Sequence, residues 1–327
     1  MSDNRPREGN VLKGNMREGN VREGNVSNDC VVPLVSVVMV CYNRREDVRE
    51  GLERLAAQSF GDIEVIAVDN ASTDGTNDMI REKFPAVRLV EIPVNAGVAA
   101  YNAGFRAARG RYILILDDDS FPAEDAIARM VEKFEQDPLL GVVAFDVRDV
   151  ATIGGPKGVE MPPDIASEGS KTDYIMSFHG AGAGVRREVV ERVGGYPEEF
   201  FLYFNETDMA LRIWDAGYTI KSFPEIVAYH KSSRVNRTSE RAPFYYTRNL
   251  LWLIWKNYPA SMAASATLKT MYYVFYFTFE QRTTVYLRAL ANAVVNARTA
   301  LIRRKPVGRD TARRMRIHLK SAFTMYG

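Results

Sequence analysis

Val35-Ser36-Val37-Val38-Met39-Val40-Cys41 is the stretch that decides the fold, apolar at every position except Ser36. A strand with one wet face alternates apolar and polar side chains, so this run reads as a strand covered on both faces. Outward from it, Glu46 to Gln58 places Val48, Leu52, Leu55 and Ala56 at helical spacing. Ile63 to Val68 reads as a second strand, ended by the turn-forming run Asp69-Asn-Ala-Ser-Thr-Asp-Gly75. A helix to Phe84 follows, then a strand at Val87 to Ile92 and a helix ending near Arg109-Gly110. A strand at Tyr112 to Leu116, a helix after Pro122 and a strand at Val142 to Val147 continue the alternation. Strands and helices alternating through short links predict an α/β fold, a mostly parallel Rossmann-like sheet flanked by helices. Ligands of such sheets bind beyond the carboxyl ends of the strands.

The chain has 327 residues, more than one compact core usually holds, which predicts a main domain with an attachment. Its 43 basic and 41 acidic residues leave a formal charge of +2, which excludes a surface built throughout for nucleic acid. Two cysteines, Cys30 and Cys41, make neither a disulfide framework nor a cysteine-rich zinc site, and a reduced cytoplasmic compartment fits them. The polar opening segment lacks the apolar stretch of a secretory leader. The most apolar region, Leu250 to Phe279, is broken by Lys256 and Lys269, short of the ~20 residues a membrane span needs.

Three regions follow. Residues 1–32 carry a five-residue repeat, Arg7-Glu-Gly-Asn-Val11 recurring at Arg17 and Arg22, with too little apolar surface to offset chain entropy. They are expected to form a disordered tail. Residues 33–240 hold the alternating elements and residues 241–327 an aromatic, basic helical extension.

The strand ends carry the chemistry. Tyr112 to Leu116 runs straight into Asp117-Asp118-Asp119. If the backbone is still extended there, Asp117 and Asp119 project to one side and Asp118 to the other. Adjacent carboxylates repel, and a hard cation such as Mg²⁺ offsets that cost; a solvated acidic turn capping the next helix fits the triplet equally. Asp69 directly follows Val65-Ile-Ala-Val68, and Asn95-Ala-Gly97 opens a helix whose amide end can accept an anion.

Together with Val35 to Asn43, Val68 to Gly75, Asn95-Ala-Gly97 and Leu116-Asp-Asp-Asp119, the downstream landmarks complete an ordered series. These are Gly180-Ala-Gly182, Gly194-Gly-Tyr196, Phe200-Phe-Leu-Tyr203, Asn205-Glu-Thr-Asp208 and Arg212. The series, over about Pro33 to Pro259, resembles the family 2 (GT-A fold) glycosyltransferases, most of all bacterial rhamnosyl-, galactofuranosyl- and related cell-surface transferases. The resemblance implies an inverting, metal-dependent transferase using a UDP- or dTDP-sugar and a glycan or lipid-linked acceptor.

It also implies roles. Asp69 would contact the nucleotide base with Tyr42 and Asn43 beside it, Asp118 the ribose, and Asn95 and Gly97 the donor. Asp117 and Asp119 would serve the metal and diphosphate, with Mg²⁺ or Mn²⁺ as the ion and His230 as a third ligand. His179, Gly180 and Ala181 would lie where the acceptor approaches. The catalytic base falls on Glu206, with Asp208 two residues on as the other candidate. Two departures stand out: Asn205-Glu206 replaces the family's Glu-Asp pair, and Gly194-Gly-Tyr-Pro197 lacks the aspartate that usually closes that sequence.

Between Arg298 and Lys320 nine basic residues face one acid, Asp310, a local charge of +8. That charge predicts contact with anionic lipid from the cytoplasmic side; no module for nucleic acid accompanies it. The aromatic helices before it suit a core, a homo-oligomer contact or a bilayer interface. Two other functions stay open on the sequence. A sugar nucleotidyltransferase would want a Gly-rich phosphate loop where Cys41-Tyr-Asn-Arg-Arg45 has no glycine, and a non-catalytic nucleotide-sugar-binding relative would fit the asparagine at 205.

Overall fold

The computed structural model describes residues 32–150, 175–231 and 240–315, and positions 317, 319, 320 and 323. The pentapeptide repeats, and Arg316 of the basic segment, lie outside the described residues. An eight-stranded sheet in the order β3-β2-β1-β4-β7-β6-β8-β5 forms the centre. Its first half is parallel: β1 (Val35–Cys41) lies between β2 (Ile63–Asp69) and β4 (Tyr112–Asp117), with β3 (Arg88–Glu91) outside β2. β7 (Ala183–Arg186) runs antiparallel to both β4 and β6 (Leu140–Asp149). β8 (Thr219–His230) is parallel to β6, and the three-residue β5 (Ser120–Pro122) pairs antiparallel with β8 at the edge. The sheet is thus more mixed than the alternation alone predicts.

The continuous apolar run behaves as its chemistry requires. Val35, Val37 and Met39 of β1 join Leu114 and Leu116 of β4 on one face, against Leu52 of α1 (Arg45–Ala56), Ile80 of α2 (Thr76–Lys83) and Met130 of α4 (Ala126–Gln136). Val38, Ile113 and Ile115 point to the other face. There they meet α3 (Tyr101–Ala107), α5 (Arg187–Val193) and α6 (Asn205–Asp215) through Phe105, Val189 and Met209. Burying both parities of β1 and β4 is why neither strand carries a polar alternation.

The C-terminal helices complete the cover of that second face. α7 (Arg241–Asn257) buries Leu250, Leu251, Leu253 and Ile254 in the same core as Val38 and Ile113. α8 (Ala260–Glu280), α9 (Val285–Val295), α10 (Ala297–Leu301) and α11 (Arg309–Arg314) pack behind it. No helix among the described residues is long and apolar enough to cross a membrane.

Candidate active site

In-register parallel pairing brings the acidic strand ends together. Cys41 lies opposite Asp69, and Val40 opposite Asp117, so two carboxylates close the strands on either side of β1 at one rim. Asp117 Oδ1 accepts a 2.8 Å hydrogen bond from the buried Tyr101 hydroxyl. The triplet then splits. Asp118 turns to the β1–α1 loop, accepting the Tyr42 amide at 3.0 Å, with Arg44 Nε 3.5 Å away. Asp119 Oδ2 receives Arg44 Nη1 at 2.7 Å, and its Oδ1 lies 3.1 Å from His230 Nε2.

The pairing of β5 with β8 delivers that histidine, because Ser120 stands opposite His230. Asp117, Asp119 and His230 therefore each offer a ligand atom within 4.8 Å of the others. Two carboxylates and an imidazole are a donor set that fits Mn²⁺ or Mg²⁺ completed by phosphate oxygens.

Glu206 opens α6 and reaches the same place. A Cβ on Gly180 would sit 2.9 Å from Glu206 Oε1, too close for the carboxylate as placed, and 3.6 Å from Asp117 Oδ1, in ordinary contact. Burial, reinforced by the charge of Asp117, pushes Glu206 up to about 7. Burial raises Asp118 to about 7 as well, with the Tyr42 amide and Arg44 opposing it. Asp119 goes the other way: burial is overcome by the His230 hydrogen bond and the charges of His230 and Arg44, and its carboxyl falls below the usual range. His230 is correspondingly raised: desolvation is outweighed by the Asp119 bond together with the charges of Asp119 and Asp117. His179, whose ring stands 5.9 Å from that of His230, is lowered by burial and accepts the Ala181 amide on Nδ1 at 3.1 Å.

Asp69, Asn43 and Tyr42 gather beside this cluster. Asp69 is 3% exposed; the Ser72 amide donates to its Oδ2 at 3.3 Å while Oδ1 is buried with no partner. A buried acceptor without a donor costs about 1–3 kcal/mol, the condition a nucleotide-base N–H would relieve. Asn43, at a φ of 52°, accepts the Thr73 amide at 2.7 Å and braces the loop around Asp69. Tyr42 is exposed beside them.

Two expectations need correcting. Asp208 does not reach the cluster. It stands two residues past Glu206, roughly 200° around the helix, and faces α7 instead. There it is fully buried between Arg212 Nη2 at 2.7 Å, Lys256 Nζ at 3.2 Å and Asn257 Nδ2 at 2.7 Å, which hold its carboxyl below the usual range. The helix opening at Asn95-Ala-Gly97, in turn, does not present the Ala96 and Gly97 amides to an anion. The Ala96 amide is spent on Asn70 Oδ1 and the Gly97 amide on Asn95 Oδ1, both at 2.8 Å. Gly97, at a φ of 59°, instead admits a backbone: a Cβ there would lie 2.0 Å from the Phe201 carbonyl oxygen.

The contact with Phe201 belongs to the Phe200-Phe-Leu-Tyr203 landmark, whose backbone conformation the sequence did not mark. Phe201, Tyr203 and Phe204 have φ values of 64°, 67° and 62°, a left-handed conformation costly for aromatic residues. Asn249 of α7 holds the segment, its Nδ2 donating to the carbonyls of Phe200 at 3.0 Å, Tyr203 at 3.2 Å and Leu202. Arg248 adds a 2.7 Å bond to Phe200. The sequence signal was Arg248-Asn249, a polar pair inside an otherwise apolar and aromatic helix.

A sheet with this order, an acidic rim and a helical back is the GT-A architecture of sugar transferases. A mannosyltransferase from Pyrobaculum calidifontis, solved in complex with GDP-Man and Mn²⁺, superposes with a TM-score of 0.57 over 90% of this chain and 87% of its own, at 23% identity. Residues 36–194 match the family model of glycosyl transferase family 2. An uncharacterized glycosyltransferase of Nostoc sp. is 30% identical over 62% of this chain and 66% of its own length. The succinoglycan biosynthesis protein ExoO of Rhizobium meliloti is 36% identical over 38% and 36%. The chain thus spans less than two thirds of either curated relative.

Proposed function

We propose that this chain is an inverting, metal-dependent glycosyltransferase that moves a sugar from a nucleoside-diphosphate sugar to a hydroxyl of a glycan or lipid-linked acceptor in cell-surface glycan assembly. The observation that supports the reading is the convergence of Glu206 and Asp117 on Gly180, where a Cβ would lie 2.9 Å from Glu206 Oε1 and 3.6 Å from Asp117 Oδ1. The Mn²⁺ and GDP-Man of the Pyrobaculum structure, and the polysaccharide named in the Rhizobium relative, support it.

Asp117, Asp119 and His230 would hold the divalent cation, which when bound neutralises negative charge growing on the departing diphosphate. Asp69 Oδ1 accepts from the nucleotide base, with Tyr42 and Asn43 flanking it, and Asp118 receives the ribose. Glu206 Oε1 takes the proton of the acceptor hydroxyl as that oxygen bonds to the anomeric carbon. The bond from that carbon to the diphosphate oxygen breaks on the opposite face, so the configuration inverts. A carboxylate held near pH 7 suits this step, because it is ionised yet basic under working conditions.

The test is transfer from a panel of UDP-, dTDP- and GDP-sugars with Mn²⁺, following the anomeric configuration of the product by NMR. An inverted product formed by wild type, and abolished in Glu206→Gln with donor binding retained, is expected. A retained configuration, or pyrophosphate exchange with a nucleoside triphosphate in place of transfer, would overturn the reading.

A further inference from the structure

Of the three adjacent carboxylates, two have a cationic partner and one does not. Asp118 lies 3.5 Å from Arg44 Nε, and Asp119 lies between Arg44 Nη1 and His230 Nε2. Asp117 makes no ion pair among the described residues, and the one hydrogen bond to its carboxylate comes from the hydroxyl of Tyr101.

Tyr101 opens α3 and is 4% exposed. Its ring stacks with Phe105 at 6.1 Å and meets the ring of Tyr196 edge to face at 5.5 Å, so packing fixes where the phenol oxygen goes. That oxygen sits 2.8 Å from the Leu116 carbonyl oxygen and 2.8 Å from Asp117 Oδ1. One proton serves two acceptors on consecutive residues, the last apolar position of β4 and the carboxylate that follows it. The side chain of Asp117 is thereby tied to its own strand end.

The chemistry of this hydrogen-bond donor matters as much as its position. An arginine in its place would hold the carboxylate but cancel its charge, and a metal ion would have to displace it. A phenol O–H holds the carboxylate and leaves its negative charge for a cation. Hydrogen bonds behind a metal ligand set its orientation and basicity, and losing one typically costs about 10–100-fold in metal affinity.

We infer that Tyr101 is a positioning residue for divalent-cation binding, acting through the carboxylate of Asp117. The inference rests on the metal site of the proposed transferase and adds to it a residue outside the ligand set.

The experiment is calorimetric titration of the full chain with Mn²⁺, without any sugar donor, for wild type, Tyr101→Phe and Tyr112→Phe. Tyr101→Phe deletes the hydroxyl and keeps the ring against Phe105 and Tyr196. Tyr112→Phe is the control, deleting a phenol hydroxyl that bonds Glu135 at the other end of β4. Each variant loses a hydrogen bond, and both are expected to melt slightly below wild type without metal. Only Tyr101→Phe is expected to weaken Mn²⁺ binding, by roughly tenfold or more. In transfer assays its half-activating Mn²⁺ concentration should rise by a similar factor, with a smaller loss of turnover at saturating Mn²⁺. Wild-type Mn²⁺ affinity in Tyr101→Phe would overturn the inference and leave the metal site in place. So would an equal loss of affinity in both variants, the mark of a loosened strand. A wild-type chain that binds no Mn²⁺ would overturn the metal site itself, and the role of Tyr101 with it.

Discussion

Glu206 and Asp117 come from opposite halves of the chain and meet at Gly180, whose missing side chain is the space they share. The proximity is electrostatically unfavourable. It adds to the burial that raises Glu206, and it ties the acidity of that carboxyl to whatever neutralises Asp117.

Adding one methyl at that point is therefore informative. Gly180→Ala would put a Cβ 2.9 Å from Glu206 Oε1, inside contact distance, and the glutamate is the part able to move. A base displaced by about 1 Å costs on the order of 10²-fold in turnover. We expect kcat to fall by roughly that factor while nucleotide affinity, set by Asp69 and its neighbours, changes less than about threefold. Steady-state kinetics with calorimetric donor binding distinguishes this from general misfolding, which would lower both.

Glu206 also makes opposite predictions for activity and stability. Its folded pKa is about 7 against an ordinary 4.5, so the native state favours the protonated acid. The stability this lends is fully present below pH 4.5, and it is lost as pH rises through 7. Glu206→Gln cannot ionise and loses nothing over that window. It is expected to melt with wild type at about pH 4 and above wild type at about pH 8, while its turnover falls by ~10²-fold or more. A variant that melts below wild type at the higher pH would show that the buried charge is not the costly element.

The Asp117, Asp119 and His230 cluster carries its own pH dependence. The bond to Asp119 and the charges of Asp119 and Asp117 together raise His230 against desolvation, so they favour its protonated, paired form over the neutral ligand form. Mn²⁺ must displace that proton, and its affinity is expected to rise with pH through the His230 pKa, with proton release on binding. Calorimetry in two buffers of different ionisation enthalpy measures the release. Asp119→Asn should abolish it together with most of the Mn²⁺-dependent rise in melting temperature, and unchanged Mn²⁺ affinity in that variant would remove Asp119 from the site.

How far the sequence disclosed this site depends on the range of each contact. β1 and β4 are legible because both parities of their side chains are apolar, and the acidic rim follows from the residues that end them. Glu206 is legible only through the ordered motifs; periodicity alone would have parted it from Asp208, since two steps along a helix carry a side chain to the far side. His230 belongs with Asp119 because of β5, three residues at the sheet edge, too short for any alternation to mark. The left-handed turns at Phe201, Tyr203 and Phe204 were least visible, because aromatic residues give no local sign of positive φ.

That last segment supports the final prediction. Three carbonyls, of Phe200, Leu202 and Tyr203, converge on the single amide nitrogen of Asn249, and the strained chain they belong to leads directly into Glu206. Asn249→Ala removes the donor and is expected to cost about 2 kcal/mol of stability. Asn249→Asp keeps the shape but turns a donor into an acceptor, so a carboxylate would face the same carbonyl oxygens. The order of stability should be wild type, then alanine, then aspartate, although aspartate is the closer isostere. Turnover should follow that order more steeply than donor affinity, because the relaxed segment releases the base and leaves the Asp69 pocket in place. Urea unfolding of the three proteins checks the ranking, and an aspartate variant as stable as wild type would show that the amide does not hold the turn.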